Sequence, residues 1–455
     1  MPRPRNKALR IFNSVIIAGT LATVSMLAGC SGGGLPSLPK VSSLNPFAPA
    51  PAPPLPGKRI PVLPEKDQMG GAQLAAATGP ITLPPAISNV SWSQPGGTAN
   101  NAPGHLALGA QVRRAWSTDV GNGSNARARL TSSPVVADGR VYTLDASARV
   151  TAVSASGGSI AWRTSLAPQG ERGREGYGGG LAFDDNRLIA STGFGTIVSL
   201  DPRSGKKLWE KDLKASVRAS PTAAQGRIFV ISTDGRFFCL SGQDGSILWQ
   251  FRGLPESQSI SSNPSPAVDG NVVAVPYPNG DLVVLNVADG TALWTESLAR
   301  SRSASSFSSM SDAARPAISG GVVFAVGHAG RMIAAQQATG ERLWSLEVPG
   351  TQTPWVAGDN VFVVDTSGKL SAIGRRDGAV KWAIKLPDAR TWSGPTLAGS
   401  TLWLASHKGH LAGVDAATGR VTQKLTVGDP VYIAPVVANG QLFVLTDRAR
   451  LVSFR

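Results

Sequence analysis

Cysteine occurs only twice in this 455-residue chain, at Cys30 and Cys239, and histidine four times, at His105, His328, His407 and His410. Two thiols so far apart make neither a disulfide-stapled scaffold nor a cysteine-based zinc cluster. Four histidines give metal chemistry few ligands to start from. Charge of one sign is also short: 29 Asp and Glu stand against 44 Lys and Arg, for a net charge of +15. Met is scarce (5), whereas Gly (52) and Pro (33) are abundant and 42 % of residues are apolar. This is too apolar for a disordered chain, and it is a composition of turns and strands rather than helices. The length corresponds to about three ordinary domains, unless one long β-array takes up the whole.

The N-terminus has the layout of an export signal. Arg3, Arg5, Lys7 and Arg10 come without an acid, and a largely apolar run follows from Ile11 to Gly29. The run ends in Leu27-Ala28-Gly29-Cys30, which resembles the bacterial lipobox. That pattern implies cleavage before Cys30 and acylation of its sulfur, so that several acyl chains anchor the protein at about 0.8 kcal/mol per buried CH₂. Ser31, where an Asp would retain a lipoprotein in the inner membrane, favours the outer one. Loss of the leader's four basic residues lowers the net charge to +11. Residues 1–29 are thus expected to be a signal peptide.

Residues 30–90 read as a lipidated cysteine followed by a disordered Pro/Ala-rich tether. Between Ser31 and Val90 fall 13 of the prolines, in tracts such as Ala48-Pro49-Ala50-Pro51-Ala52-Pro53-Pro54. Such a segment donates few backbone hydrogen bonds and has little to bury. About 30 residues in polyproline II would reach ~90 Å.

From residue 91 to 455 the sequence repeats itself. Each unit opens with a small residue and Pro, as at Ser133-Pro134, Ser220-Pro221, Ser265-Pro266 and Ala434-Pro435, and continues through apolar runs separated by Gly or Asp turns. Units end in Gly-x-x-x-Trp at Trp162, Trp209, Trp249, Trp294, Trp344 and Trp382, and with Trp116, which lacks the Gly, these fall at intervals of 38 to 50 residues. An eighth place, read at Thr422, lacks the aromatic. Four short strands with tight turns need about this length, which is the period of a propeller blade. The last unit stops at Leu451–Arg455 without a final Trp strand, and Arg114–Thr118 is a Trp strand with no blade before it. An N-terminal strand that completes the last blade would remove the open sheet edge. The expectation is an all-β, eight-bladed β-propeller.

The unit Gly-x-(Leu/Val)-x-Ala-(Leu/Val)-Asp-x-x-(Thr/Ser)-Gly-x-x-x-Trp, clearest at Asp281-Leu282-Val283-Val284-Leu285 through Asp289-Gly290-Thr291-Ala292-Leu293-Trp294, resembles the repeat of pyrroloquinoline-quinone-type propellers. Together with the lipobox and tether, the chain resembles the BamB family of outer-membrane lipoproteins. That resemblance implies a non-enzymatic scaffold of the β-barrel assembly complex, facing the periplasm and binding the POTRA domains of BamA and other subunits. It also leaves room for contact with unfolded outer-membrane proteins, for instance by strand-edge augmentation. The family's contact segments map onto Ala215-Ser216-Val217-Arg218, with Val217 as apolar contact and Arg218 as multi-donor anchor, and onto Ser261-Ser262-Asn263. The second segment departs from the family by lacking an acidic pair, leaving Ser261 and Asn263 to hydrogen-bond.

Two other functions fit the composition less well. A quinone-dependent dehydrogenase of the same fold would carry a vicinal Cys pair, which this sequence lacks, and acidic calcium ligands. The few acids here mostly sit at repeated turn positions such as Asp138, Asp269 and Asp289, so no cofactor or metal is expected. The excess positive charge would suit a binder of anionic cell-envelope polymer, with the long Arg-bearing loops 166–180 and 299–314 as candidate contact sites. Nucleic acid is no partner for an exported protein. His407 and His410 flank a Gly turn without a carboxylate and read as a solvent-facing turn, and Cys239, within Phe237-Phe238-Cys239-Leu240, reads as a buried free thiol.

Overall fold

The computed structural model describes residues 81–172, 176–253, 264–298, 314–328 and 330–455. Cys30, Ser261, Asn263 and most of loop 299–314 lie outside the described residues. The described residues form eight antiparallel four-stranded sheets, seven of them ordered as consecutive strands. In the first blade these are β2 (Val135–Ala137), β3 (Arg140–Leu144), β4 (Arg149–Ser154) and β5 (Ile160–Ser165). Six further blades follow over 179–212, 222–252, 267–297, 317–347, 355–385 and 392–426. In the eighth, β30 (Val436–Ala438), β31 (Gln441–Leu445) and β32 (Arg450–Phe454) are joined by β1 (Arg114–Asp119). Trp116 stands opposite Ser453 and Thr118 opposite Leu451, so the chain's two ends close the ring as the unpaired Trp strand predicted.

Sequence alternation accounts for the layering. The middle strands of each blade are buried on both faces and read as continuous apolar runs, such as Phe237-Phe238-Cys239-Leu240. The outer strands alternate between exposed and half-buried residues, as in Ile160–Ser165. Each outer strand from the first to the seventh blade carries a bulge at the residue before the Trp position, where the register shifts by one.

The seven tryptophans tie neighbouring blades together. Each indole N–H donates to a carbonyl in the last hairpin turn of the next blade: Trp162 to Pro202 (3.0 Å), Trp249 to Val287 (3.0 Å) and Trp382 to Ala416 (3.1 Å) are examples. The register corrects the eighth place. Counting four residues on from the turn glycine Gly419, the position opposite Gly413 is Gln423, while Thr422 occupies the bulge. The following blade has no such turn, because its outer strand β1 is far from β32 in sequence and no hairpin joins them. Gln423 Nε2 instead donates to Ala110 O at 2.7 Å, just ahead of β1.

The start of the folded body also differs from the expectation. Residues 81–90, read as the end of the tether, lie against the ring: Ile81 is buried, and Thr82 O accepts a hydrogen bond from Asn360 Nδ2 at 3.0 Å. Pro84 and Pro85 offer no N–H, but the residues after them do, and Ile87 N donates to His105 O at 2.8 Å.

Candidate functional site

A strap formed by residues 82–106 visits every blade of the ring. From Thr82 on the sixth blade it passes to the eighth, where Asn89 Nδ2 donates to Val437 O at 2.6 Å. Trp92 then exchanges two 2.8 Å backbone hydrogen bonds with Val136 in the first blade. Phe183 N of the second donates to Ser93 O, and the buried Gln94 side chain clamps the second and third blades. Its Nε2 donates to Phe183 O (3.0 Å) and Ala223 O (2.7 Å), while its Oε1 accepts from Ala223 N (3.0 Å). Val268 N and Ile318 N, in the fourth and fifth blades, donate to Ala99 O and Asn100 O. The circuit closes where Trp355 Nε1 donates to Gly104 O in the sixth and Leu106 N to Leu397 O in the seventh. At the same crossing His105 Nε2 accepts from Ser400 N (3.0 Å), which leaves Nδ1 to donate to Pro84 O (2.8 Å).

Because the strap meets the far ends of the innermost strands, the axial space lies between it and the connectors that lead into those strands. This cavity, of about 290 Å³, is lined by Trp92, Gly96 and Asn101 of the strap and by connector residues that include Ser133, Arg315 and Thr353. Arg315 is the single charged residue of the lining, which contains no Asp or Glu. A hard cation such as calcium therefore has no oxygen-rich cradle in it. Among the described residues no group of three or more His, Cys, Asp or Glu comes together elsewhere.

The segment Ala215–Arg218 belongs to the connector between the second and third blades. Its backbone is pinned at both ends: Thr233 N donates to Ser216 O (2.8 Å) and Gly179 N to Arg218 O (2.8 Å). Extended backbone between these bonds sends successive side chains to opposite sides. Val217 therefore points inward, fully buried among Leu213, Ile228, Phe238 and Leu240. It supports the segment from below and presents no apolar surface of its own, whereas Ala215 is half-buried and Arg218 exposed. The Arg218 guanidinium stands 4.5 Å above the Tyr177 ring, a cation–π contact that holds the long side chain in place. Gly178 (φ +91°) permits this approach, since a Cβ there would come 3.1 Å from Arg218 Cβ. Tyr177 was missed in the sequence because it lies outside every repeat position.

Next to this patch, on the turn that bonds Ser216, Asp234 pairs with Arg236 at 2.7 Å. Partial burial works to raise the Asp234 pKa, but hydrogen bonds from Ser232 and Arg236 outweigh it and lower the value. An acid and two arginines thus share the connector side of the second and third blades.

The sequence model for the family described as "Outer membrane protein assembly factor BamB" matches residues 106–178, 150–384 and 385–455. The chain belongs to the BamB family. Its BamB relative in Bordetella pertussis is 23 % identical over 352 residues, covering 77 % of this chain and 88 % of that one. The BamB of Burkholderia pseudomallei is 28 % identical over 185 residues, which span 40 % of this chain and only 45 % of that protein. Among solved structures, BamB from Moraxella catarrhalis aligns with a TM-score of 0.64 at 18 % identity, over 76 % of this chain and 100 % of that one. A quinohemoprotein alcohol dehydrogenase from Pseudomonas putida aligns almost as well, with a TM-score of 0.63 at 13 % identity over 81 % and 80 %. Similarities at such identities establish the fold alone, so the BamB-family assignment rests on the sequence match.

Proposed function

We propose that this BamB-family propeller is a non-enzymatic scaffold of outer-membrane protein assembly, docking the periplasmic POTRA domains of BamA through the Ala215–Arg218 connector. In this reading Cys30 carries the lipid that anchors the ring to the outer membrane, residues 1–29 are removed, and the chain up to the strap spaces the ring from the bilayer. The observation that carries the docking site is the exposed Arg218 held over Tyr177. A planar, multi-donor cation that has already lost much of its rotamer freedom is the kind of residue that anchors interfaces. Ser261 and Asn263, on the next connector, complete the proposed contact by hydrogen bonding. The cavity does not favour the dehydrogenase reading, since its lining supplies one arginine and no carboxylate.

Photo-crosslinking in cells tests this, with the probe at Arg218 or Tyr177 and a control at Asp289, on an exposed turn of the fourth blade. Capture of BamA from the first two positions and not from the third is the expected result. Capture of nothing at Arg218 and Tyr177 would remove the docking site while leaving the family assignment intact.

A further inference from the structure

The axial cavity is lined by Trp92 and Arg315, each of which carries a buried donor that no described residue satisfies. Trp92 is 3 % exposed and its Nε1 has no hydrogen-bond partner. Arg315 Nε is likewise buried and unpartnered. The one polar contact of the Arg315 guanidinium among the described residues is a long 3.4 Å bond to Ser133 Oγ. No ion pair involving Arg315 is formed among those residues, and removal from bulk water pushes its pKa down to about 10, so it stays a cation at neutral pH. A half-buried cation with only this long hydrogen bond among the described residues, lining the same cavity as a buried indole N–H, carries a desolvation cost that an acceptor-bearing ligand would reduce.

The rest of the wall says what else that ligand carries. Trp92 and Trp355 stack at 6.2 Å and 24°. Ile433 and the half-exposed Tyr432 extend the apolar surface on the connector side. A hydrated inorganic anion gains nothing from such a surface, whereas an organic acid with an aromatic or aliphatic body does. One positive charge in the lining suits one negative charge on the ligand. We propose that this cavity binds a small organic monocarboxylate, its charge held by Arg315 and its apolar body laid against Trp92, Ile433 and Tyr432. The site is separate from the Arg218 patch and does not depend on the docking role.

Fluorine NMR of 4-fluorophenylacetate with the full-length protein provides the test. Saturable binding is expected, with phenylacetamide failing to displace the probe and with a shift of the Trp92 indole N–H resonance, assigned by Trp92→Phe. Arg315→Gln removes the charge and should weaken binding at least about tenfold. Tyr432→Ala, at a half-exposed position that leaves the fold intact, should weaken it several-fold and decides the matter if Arg315→Gln does not fold. Absence of saturable binding at millimolar probe, binding that neither substitution alters, or displacement by inorganic phosphate as effective as by phenylacetate would each overturn the assignment.

Discussion

The indole of Trp294 rests against Gly340, the turn glycine of the next blade, and its Nε1 donates to Gln337 O in the same turn at 2.9 Å. The relation recurs from Trp116 with Gly158 to Trp382 with Gly419, so one aromatic per blade grips one turn of its neighbour. Blade-to-blade cohesion is therefore a repeated local contact, which explains why the Trp interval in the sequence reports the architecture.

Trp294→Ala should cost about 3 kcal/mol, at the lower end for a core tryptophan because one edge of the ring meets solvent. Thermal unfolding measures it. An unchanged melting temperature would show that the interlock contributes nothing.

Gly340→Ala should destabilise through two separable effects. The residue has φ +74°, which costs an L-residue about 1–2 kcal/mol, and the new Cβ would come 2.7 Å from the Trp294 ring. In a Trp294→Ala background only the backbone cost remains, so the double variant is expected to be less destabilised than the sum of the two. Strict additivity by chemical denaturation would refute the contact as described.

Gln94→Leu removes the clamp between the second and third blades and leaves two buried carbonyls and the Ala223 N–H without their partner. A loss of about 2–3 kcal/mol follows. Hydrogen exchange should show the Ala223 amide opening faster while the Val323 amide, on the far side of the ring, keeps its protection.

Neighbouring residues of the proposed docking segment should behave oppositely. Val217→Ala is expected to lower stability by about 2 kcal/mol through a cavity under the third blade. Arg218→Ala should leave the melting temperature unchanged and abolish capture of BamA, with Arg218→Lys retaining part of it. Stability and capture falling together in Arg218→Ala would mean that the residue is structural.

Cys239 is buried in the third blade, and desolvation pushes its thiol up to about 12. The thiolate is the reactive form, so at pH 8 the folded protein should resist thiol reagents and react after denaturation. Rapid native labelling of Cys239 would place that strand outside the core.

Several features were legible in the sequence because they rest on local chemistry repeated many times. The Gly-x-x-x-Trp ending, the apolar middle strands and the polar-alternating outer strands recur in almost every blade. The incomplete first and last units predict the pairing of β1 with β32. Cys239 could be placed from four consecutive apolar residues. The same pattern, read without the bulge, puts the eighth position one residue early, at Thr422 instead of Gln423.

Other features depend on contacts that no window of sequence contains. The strap has no repeat signal, and its prolines resemble those of the segment before it. Its partners lie hundreds of residues away, as in the bond from Asn89 to Val437, 348 positions on. Whether Val217 or Arg218 faces solvent follows from the two hydrogen bonds that pin their segment, one from each adjoining blade. Arg315 became a cavity residue only when the ring closed and brought its connector beside Trp92. Sequence by itself determined the number of blades, their internal order and how the ring is sealed, since these come from periodicity and from a Trp strand left without a blade of its own. Tertiary structure decided what fills the axis, which side chains are exposed and which charge is left without a partner, since these are set by burial among distant residues.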